Sequence, residues 1–338
     1  MLNGNSHVGS GKKLQVGFES VYGTLPTMSL NVNYKSESLK EETTKEALEN
    51  LMVQKTISGM QVTGRNVSGD IAFDFTPGNI PLAIAALGTE GTVEETAVDS
   101  NVFKHPVVLT SPSATLKSLG LIVDRGEKVF GYVGLIPDSL KLDIPSGKGI
   151  EGTLSFKGLE EKVTGVTLNG TLPDDATLPF SASDGTFTVK VGATTYTLNE
   201  IVSGSISEAN GVDDGIQTWG NGKKFVDKRH GLKSYEFTFD AIYTGDTDKI
   251  REDLYKPEDV YGELKLIYTS PTLIPGAAVS TPYSFEILAP KVIVTGAEVN
   301  VTGKDRIMIK FTAKATCNGG VEPVTATFYT EQETKYLA

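Results

Sequence analysis

Val67–Phe75 reads V-S-G-D-I-A-F-D-F, and Lys233–Ala241 reads K-S-Y-E-F-T-F-D-A. Asp70 answers to Glu236, Phe73 to Phe239 and Asp74 to Asp240. Each stretch alternates apolar and polar residues, so each is a β-strand with one apolar and one acidic face. Such a strand, written twice, suits a unit that pairs edge to edge and encloses something polar. The period of two assigns Phe73, Phe75, Phe156, Phe237, Phe239 and Phe311 to the core, not to a base-stacking platform. Asp70, Asp74, Glu236 and Asp240 must then share the opposite face.

Outward from the first copy, Ser29–Lys40 reads as a half-buried strand. Glu41–Arg65 reads as a long charged loop with a helical turn near Lys45–Met52. Ile80–Leu87 is a short apolar helix with Pro81 in its first turn. Lys128–Ile136, Leu140–Pro145 and Ile150–Gly158 are further strands. In the second copy Tyr196–Ser207 stands for Ser29–Lys40, and Glu208–Leu232 for the charged loop. Asp246–Leu254 stands for the helix, and Arg306–Lys314 closes the unit with Phe311 aligned to Phe156. The expected divisions are an arm (1–13), a first domain (14–162), a connector with a small hairpin (163–194) and a second domain (195–338).

The 338 residues are enough for two such domains. Gly, Thr, Val and Ser are abundant, which favours strands and turns. The net charge of −11 disfavours tight wrapping of nucleic acid. No apolar run reaches the length of a membrane span, and Met1–Lys13 does not read as a signal peptide. The single Cys317 excludes an internal disulfide. Gly9–Lys13 (G-S-G-K-K) only imitates a phosphate loop, because Lys13 stands where Ser or Thr is needed. His7, His105 and His230 lack metal-site spacing, and no nucleophile motif occurs. The reading is a non-enzyme that needs no cofactor or metal.

Five stretches together resemble the major tail tube proteins of long-tailed bacteriophages. They are V-G-F-E-S-V-Y-G-T-L-P (16–26), S-E-S-L-K (36–40), V-S-G-D-I-A-F-D-F-T-P-G-N-I-P-L-A-I-A-A-L-G (67–88), G-Y-V-G-L-I-P-D-S-L-K-L-D-I (131–144) and G-I-E-G-T-L-S-F-K-G (149–158). The first half carries the resemblance, and the second half follows through the repeat. It implies a mainly β fold: two tandem β-sandwich tail-tube domains, each with a short flanking helix, whose long strands join an intersubunit β-barrel. It also implies assembly in the host cytoplasm into the virion tail and passage of double-stranded DNA without tight binding. The implied partners are the chain itself, the tape measure protein, the tail terminator and distal tail proteins, with no membrane. The rival reading is a β-rich surface adhesin or carbohydrate-binding module.

Most members of such a family carry one copy and form six-subunit rings; a duplicated chain would form trimers with pseudo-six-fold symmetry. With four strands per copy, six copies give about 24 strands and, at ~40° tilt, a backbone diameter of roughly 48 Å. Three copies alone would leave a bore of roughly 15 Å, too narrow for a duplex. Asp70, Asp74, Glu236 and Asp240 would face the bore, with Lys141, Lys157, Lys310 and Lys314 on the same face of other strands. For contact between rings, the acids Glu41, Glu42, Glu46 and Glu49 are matched to the basic cluster Lys223, Lys224, Lys228 and Arg229. The competing reading of that cluster is a solvated loop.

Overall fold

The computed structural model describes residues 11–47, 59–97, 99–108, 116–226, 228–229, 231–255, 260–301, 306–317 and 322–337. The first half contains β1 (Leu14–Phe18), β2 (Leu30–Val32), β3 (Tyr34–Glu37), β4 (Lys40–Ala47), β5 (Met60–Asp74), α1 (Ile80–Leu87), β6 (Thr89–Glu90), β7 (Glu94–Glu95), β8 (Phe103–Val108), β9 (Leu119–Asp124), β10 (Val129–Ile144), β11 (Glu151–Gly158) and β12 (Glu160–Lys162). The second half contains β13 (Ser181–Val191), β14 (Thr194–Thr197), β15 (Ile201–Ala209), β16 (Ile216–Gln217), β17 (Phe225–Val226), β18 (Ser234–Ile242), α2 (Gly245–Ile250), β19 (Gly262–Leu273), β20 (Pro282–Asn300), β21 (Met308–Ala315) and β22 (Thr325–Thr330).

One antiparallel sheet runs through both halves. Its order is β3 and β4, then β5, β11, β10, β15, β18, β21 and β20. The first four positions are copy 1 and the last four are copy 2, in the same internal order. The junction is β10 against β15, with Ser139 opposite Ala209 and Ile144 opposite Gly204. Among the described residues this shared sheet ends at β3 and β4 on one side and at the second part of β20 on the other, so it keeps two open edges. Among the described residues β3 and β4 pair only with β5, and Val292–Asn300 of β20 pairs only with β21 and, at Val292, β19.

The two longest strands each serve two sheets. The first part of β10 pairs with β9 and β12, and the first part of β20 pairs with β19 and β22. Register shifts between Pro137 and Ser139 and between Val294 and Gly296 mark the bulges where each strand turns into the shared sheet. The outer sheet of copy 1 continues from β9 to β1 and β2. That of copy 2 continues from β19 to β13 and β14, and from β22 to β8. Because β8 belongs to the first half, the segment after α1 reaches across and extends the second sandwich. Among the described residues this excursion has no counterpart after α2.

The core lies between the sheets. Phe73, Phe75, Phe156, Phe237, Phe239 and Phe311 are all buried, as their spacing requires. Burying each contributes roughly 1.5–3 kcal/mol. Helix α1 (I-P-L-A-I-A-A-L) is apolar on every side and fully buried, as such a helix must be. Its last carbonyls are taken by copy 2. Asn210 Nδ2 donates to Ala86 O at 3.1 Å, and Lys233 Nζ to Leu87 O at 2.8 Å. Helix α2 starts on a capping box between Thr244 and Thr247.

Three expectations change. Glu41–Arg65 is not a loop at its two ends: Glu41–Ala47 lies in β4 and Met60–Arg65 in β5, and Lys45, Glu46 and Ala47, expected to be helical, pair with Val62, Gln61 and Met60. Thr43 and Thr44 favour the extended chain there, and 48–58 lies outside the described residues. Phe311 does not match Phe156. It stands beside Phe239, where copy 1 has Gly152 beside Phe73. A Cβ on Gly152 would come within 2.6 Å of the Phe73 ring, so one large side chain serves the site in copy 1 and two share it in copy 2. Finally, the 163–194 stretch divides. Its first part binds copy 1, with Asn31 Nδ2 donating to Leu172 O at 2.8 Å and Thr76 Oγ1 to Asp175 Oδ2 at 2.6 Å. Its strand β13 belongs to the outer sheet of copy 2.

Candidate lumen face and subunit edges

Alternation puts one side of every strand of the shared sheet away from the core. On β5 this side carries Asp70, Ala72 and Asp74, and on β18 Glu236, Thr238 and Asp240. Cross-strand register extends it to Ser155, Thr153 and Glu151, then to Ser139, Lys141 and Asp143. In copy 2 it runs through Ser203, Ser205 and Ser207, then Lys314, Thr312 and Lys310, then Glu298. All four predicted acids therefore lie on one surface, with Lys141, Lys310 and Lys314 among them.

That surface is charged but laced with pairs. Lys35 Nζ lies 2.7 Å from Asp74 Oδ1 and 2.8 Å from Glu151 Oε1. Its hydrogen bond and charge hold the Glu151 carboxyl below the ordinary carboxylate range. Lys141 meets Asp143 at 2.8 Å, and Lys314 meets Glu236 at 3.5 Å. Ser203 Oγ donates to Asp240 at 3.2 Å. These exposed pairs add little stability, but they turn an acidic wall into a mixed one. Lys157 shares the face and bends away, donating to Val212 O at 2.6 Å and pairing with Asp214 at 3.1 Å.

Lys35, Glu151, Asp143 and Glu298 lie on this face as well. For Glu151 and Asp143 the signal was present, since alternation carried back from Thr153 and on from Lys141 reaches both. The Ser203, Ser205, Ser207 alternation marked β15 in the same way. Lys35 carried the same signal, since alternation along Ser29–Lys40 sets it on the face opposite Tyr34; the bulge between Tyr34 and Ser36 then brings Ser36 to this face as well.

The basic cluster meets its own chain. Lys224 pairs with Glu160 at 2.8 Å, Lys223 Nζ donates to Val62 O, and Arg65 N donates to Lys223 O at 2.9 Å. Lys228 Nζ donates to Asn66 Oδ1 at 2.6 Å and Asp214 O at 2.8 Å, and the backbone of Arg229 to Asp213 Oδ1 at 2.9 Å. Burial lowers the Lys228 pKa to about 8. The loop of copy 2 thus clasps the β4–β5 hairpin of copy 1. Of the acids, Glu41 pairs with Arg65 at 3.7 Å and accepts from Glu161 N, and Glu42 pairs with Lys40. Glu46 is exposed near the hairpin's described end, and Glu49 lies outside the described residues. Trp219 is fully exposed on the clasping loop.

Among the described residues no group of three His, Cys, Asp or Glu could hold a metal ion. His105 is buried, with Nδ1 2.6 Å from Glu90 Oε1 and Nε2 2.8 Å from Gln332 O. One ring nitrogen thus holds Glu90 within the excursion and the other ties the excursion to the C-terminal segment; His7 and His230 lie outside the described residues. No helix among the described residues is long and apolar enough to cross a membrane.

Compared with known families, residues 9–318 match the model of one described as phage tail tube protein. No curated protein matches the chain.

Proposed function

We propose that this chain, which belongs to the phage tail tube protein family, forms three-subunit rings with pseudo-six-fold symmetry that stack into a DNA-conducting tube. Family membership makes it a structural protein of the virion tail, which self-assembles and meets other tail proteins. Nothing favours the adhesin reading over this. The finer reading rests on one observation: four strands of copy 1 and four of copy 2 join edge to edge in one sheet, in the same order. Each chain is then a third of a ring, already carrying one of the six seams.

Register bears on the size of that ring. From Asp74 the cross-strand row passes Glu151, Asp143 and Ser205 to Thr238. The copy 2 counterpart of Asp74 is Asp240, so the row drifts by two residues per copy. Six copies drift by about 12 residues, which for about 24 strands implies a tilt of roughly 20° and a backbone diameter of roughly 40 Å. This is narrower than the ~48 Å expected at ~40° tilt. Inward side chains reduce the bore to roughly 30 Å, still wide enough for a duplex.

The lumen is then the surface of Asp70, Asp74, Glu236 and Asp240 with Lys141, Lys310 and Lys314. Its mixed charge neither grips phosphate nor presents a continuous acid barrier. The two domains are the units of the shared sheet, copy 1 in residues 14–162 and copy 2 in 195–338. Glu42 and Glu46 on the hairpin, together with Glu49, and the exposed parts of the loop that carries Lys223, Lys224, Lys228 and Arg229 are the proposed contacts to the next ring. The tape measure protein, tail terminator and distal tail proteins are its proposed partners, inside and at the ends of the tube.

Electron microscopy of tubes from the purified chain tests the reading. Three chains per ring and six density lobes are expected. Six chains per ring, or compact monomers that never polymerise, would overturn it.

A further inference from the structure

The intrachain seam is a template for the edges left open. Ser36 and Ser205 are equivalent, since they stand opposite Ala72 and Thr238. Glu298 and Asp143 are equivalent, since they stand opposite Lys310 and Glu151. Asp143 faces Ser205 across the intrachain seam. The same geometry places Glu298 of one copy opposite Ser36 of the next, Ala297 opposite Glu37 and Gly296 opposite Ser38.

The two acceptor strands differ at one step. Ser38 donates its N–H inward to Asp70 O at 3.0 Å, so the N–H and C=O of Leu39 point away from β5. At the same step in copy 2, Glu208 stands opposite Leu140 of the neighbouring strand. Leu39 finds its partners elsewhere. Its N–H donates to Glu37 Oε2 at 3.0 Å, and its C=O accepts from Arg125 Nη2 at 2.6 Å and Tyr132 OH at 2.9 Å. Arg125 is held there by a two-pronged pair with Glu37, both contacts at 2.8 Å, and lies over the Phe130 ring at 4.8 Å. An open strand edge invites unwanted pairing, and side chains that occupy its hydrogen-bonding groups suppress it.

We propose that the Lys35–Glu41 edge accepts Val292–Asn300 of a second copy in the register of the intrachain seam, and that Glu37 and Arg125 cap this edge until it is taken. The proposal rests on the ring reading and adds its partner strand, register and control. On ring closure Val294, the counterpart of Leu140, displaces the cap and takes the N–H and C=O of Leu39. A lone subunit is thereby slow to pair, and an incoming strand must open the cap.

Two measurements separate the parts. In a Cys317→Ser background, Ser36→Cys with Glu298→Cys should cross-link tubes under mild oxidation into covalent dimers and trimers, with nothing larger. The two positions correspond to a closely spaced antiparallel pair, which suits a disulfide. Ser38→Cys with Glu298→Cys, two residues out of register, should cross-link poorly. Equal or better linking by the second pair overturns the register, and tubes linked by neither overturn the seam itself. For the cap, the lag before tube formation is followed by light scattering. Arg125→Met should shorten it several-fold at equal concentration. If that variant lacks the native circular dichroism spectrum, Glu37→Gln, which weakens the same pair, should shorten it too. An unchanged or longer lag with the in-register cross-link intact overturns the cap and leaves the ring standing.

Discussion

The ammonium of Lys233 lies 2.8 Å from the carbonyl oxygen of Leu87, the last residue of α1. It also pairs with Glu208 at 3.1 Å, whose carboxylate accepts from Tyr235 OH at 2.9 Å. A cation of copy 2 thus closes the end of the helix of copy 1, where the helix dipole favours it. Burial pushes the Glu208 carboxyl up, against the pull of Lys233 and Tyr235.

Lys233→Met strands this buried carboxylate and should cost roughly 3–5 kcal/mol at neutral pH. A raised folded pKa means the folded state holds the proton more tightly than the unfolded one. Stability therefore falls as pH rises from the unfolded to the folded value. Without Lys233 the folded value rises further, so the loss should be larger at pH 8 than at pH 5 by urea denaturation. A loss below about 1 kcal/mol, equal at both pH values, would mean that water reaches the group.

Phe73→Ala and Phe239→Ala should each destabilise by roughly 3–5 kcal/mol, because both rings are fully enclosed. Phe239 also packs edge-on against Phe187, with centroids 4.5 Å apart. Denaturation midpoints check this. A position that proves insensitive would refute the facing of its strand.

Replacing Asp70, Asp74, Glu236 and Asp240 together by Lys should leave tubes able to form, since all four lie off the core. DNA ejection should slow, most at low salt, where phosphate attraction is least screened. Lys35 loses one of its two acids in this variant. Ejection at the normal rate in low salt would place these residues away from the bore.

Lys228 gives a pH signature. Its folded pKa, about 8, lies below the ordinary 10.5. Between these values the unfolded chain binds more protons, so the contribution of Lys228 to stability rises with pH across that window. Lys228→Met should remove that rise. Matching pH profiles of unfolding in the two proteins would show that the clasp is solvated.

How much was legible depended on range. Phe73 and Phe239 declared their facing through their immediate neighbours, because alternation is a local property of a strand. Asp70, Asp74, Glu236 and Asp240 followed by the same rule. Lys224 and Lys228 were harder. A charge run shows that a loop is polar but not which surface it meets, and these lysines meet Glu160 and Asn66 of their own chain.

The amino-acid sequence by itself determined the repeated strands β5 and β18, their buried aromatics and their polar face. Each depends on spacing over a few residues. Only the tertiary structure decided that β10 joins β15, that β8 of the first half completes the second sandwich, and that Leu39 is capped where Glu208 is paired. These follow from contacts between residues far apart in the chain, where register and bulges, and not periodicity, select the partner.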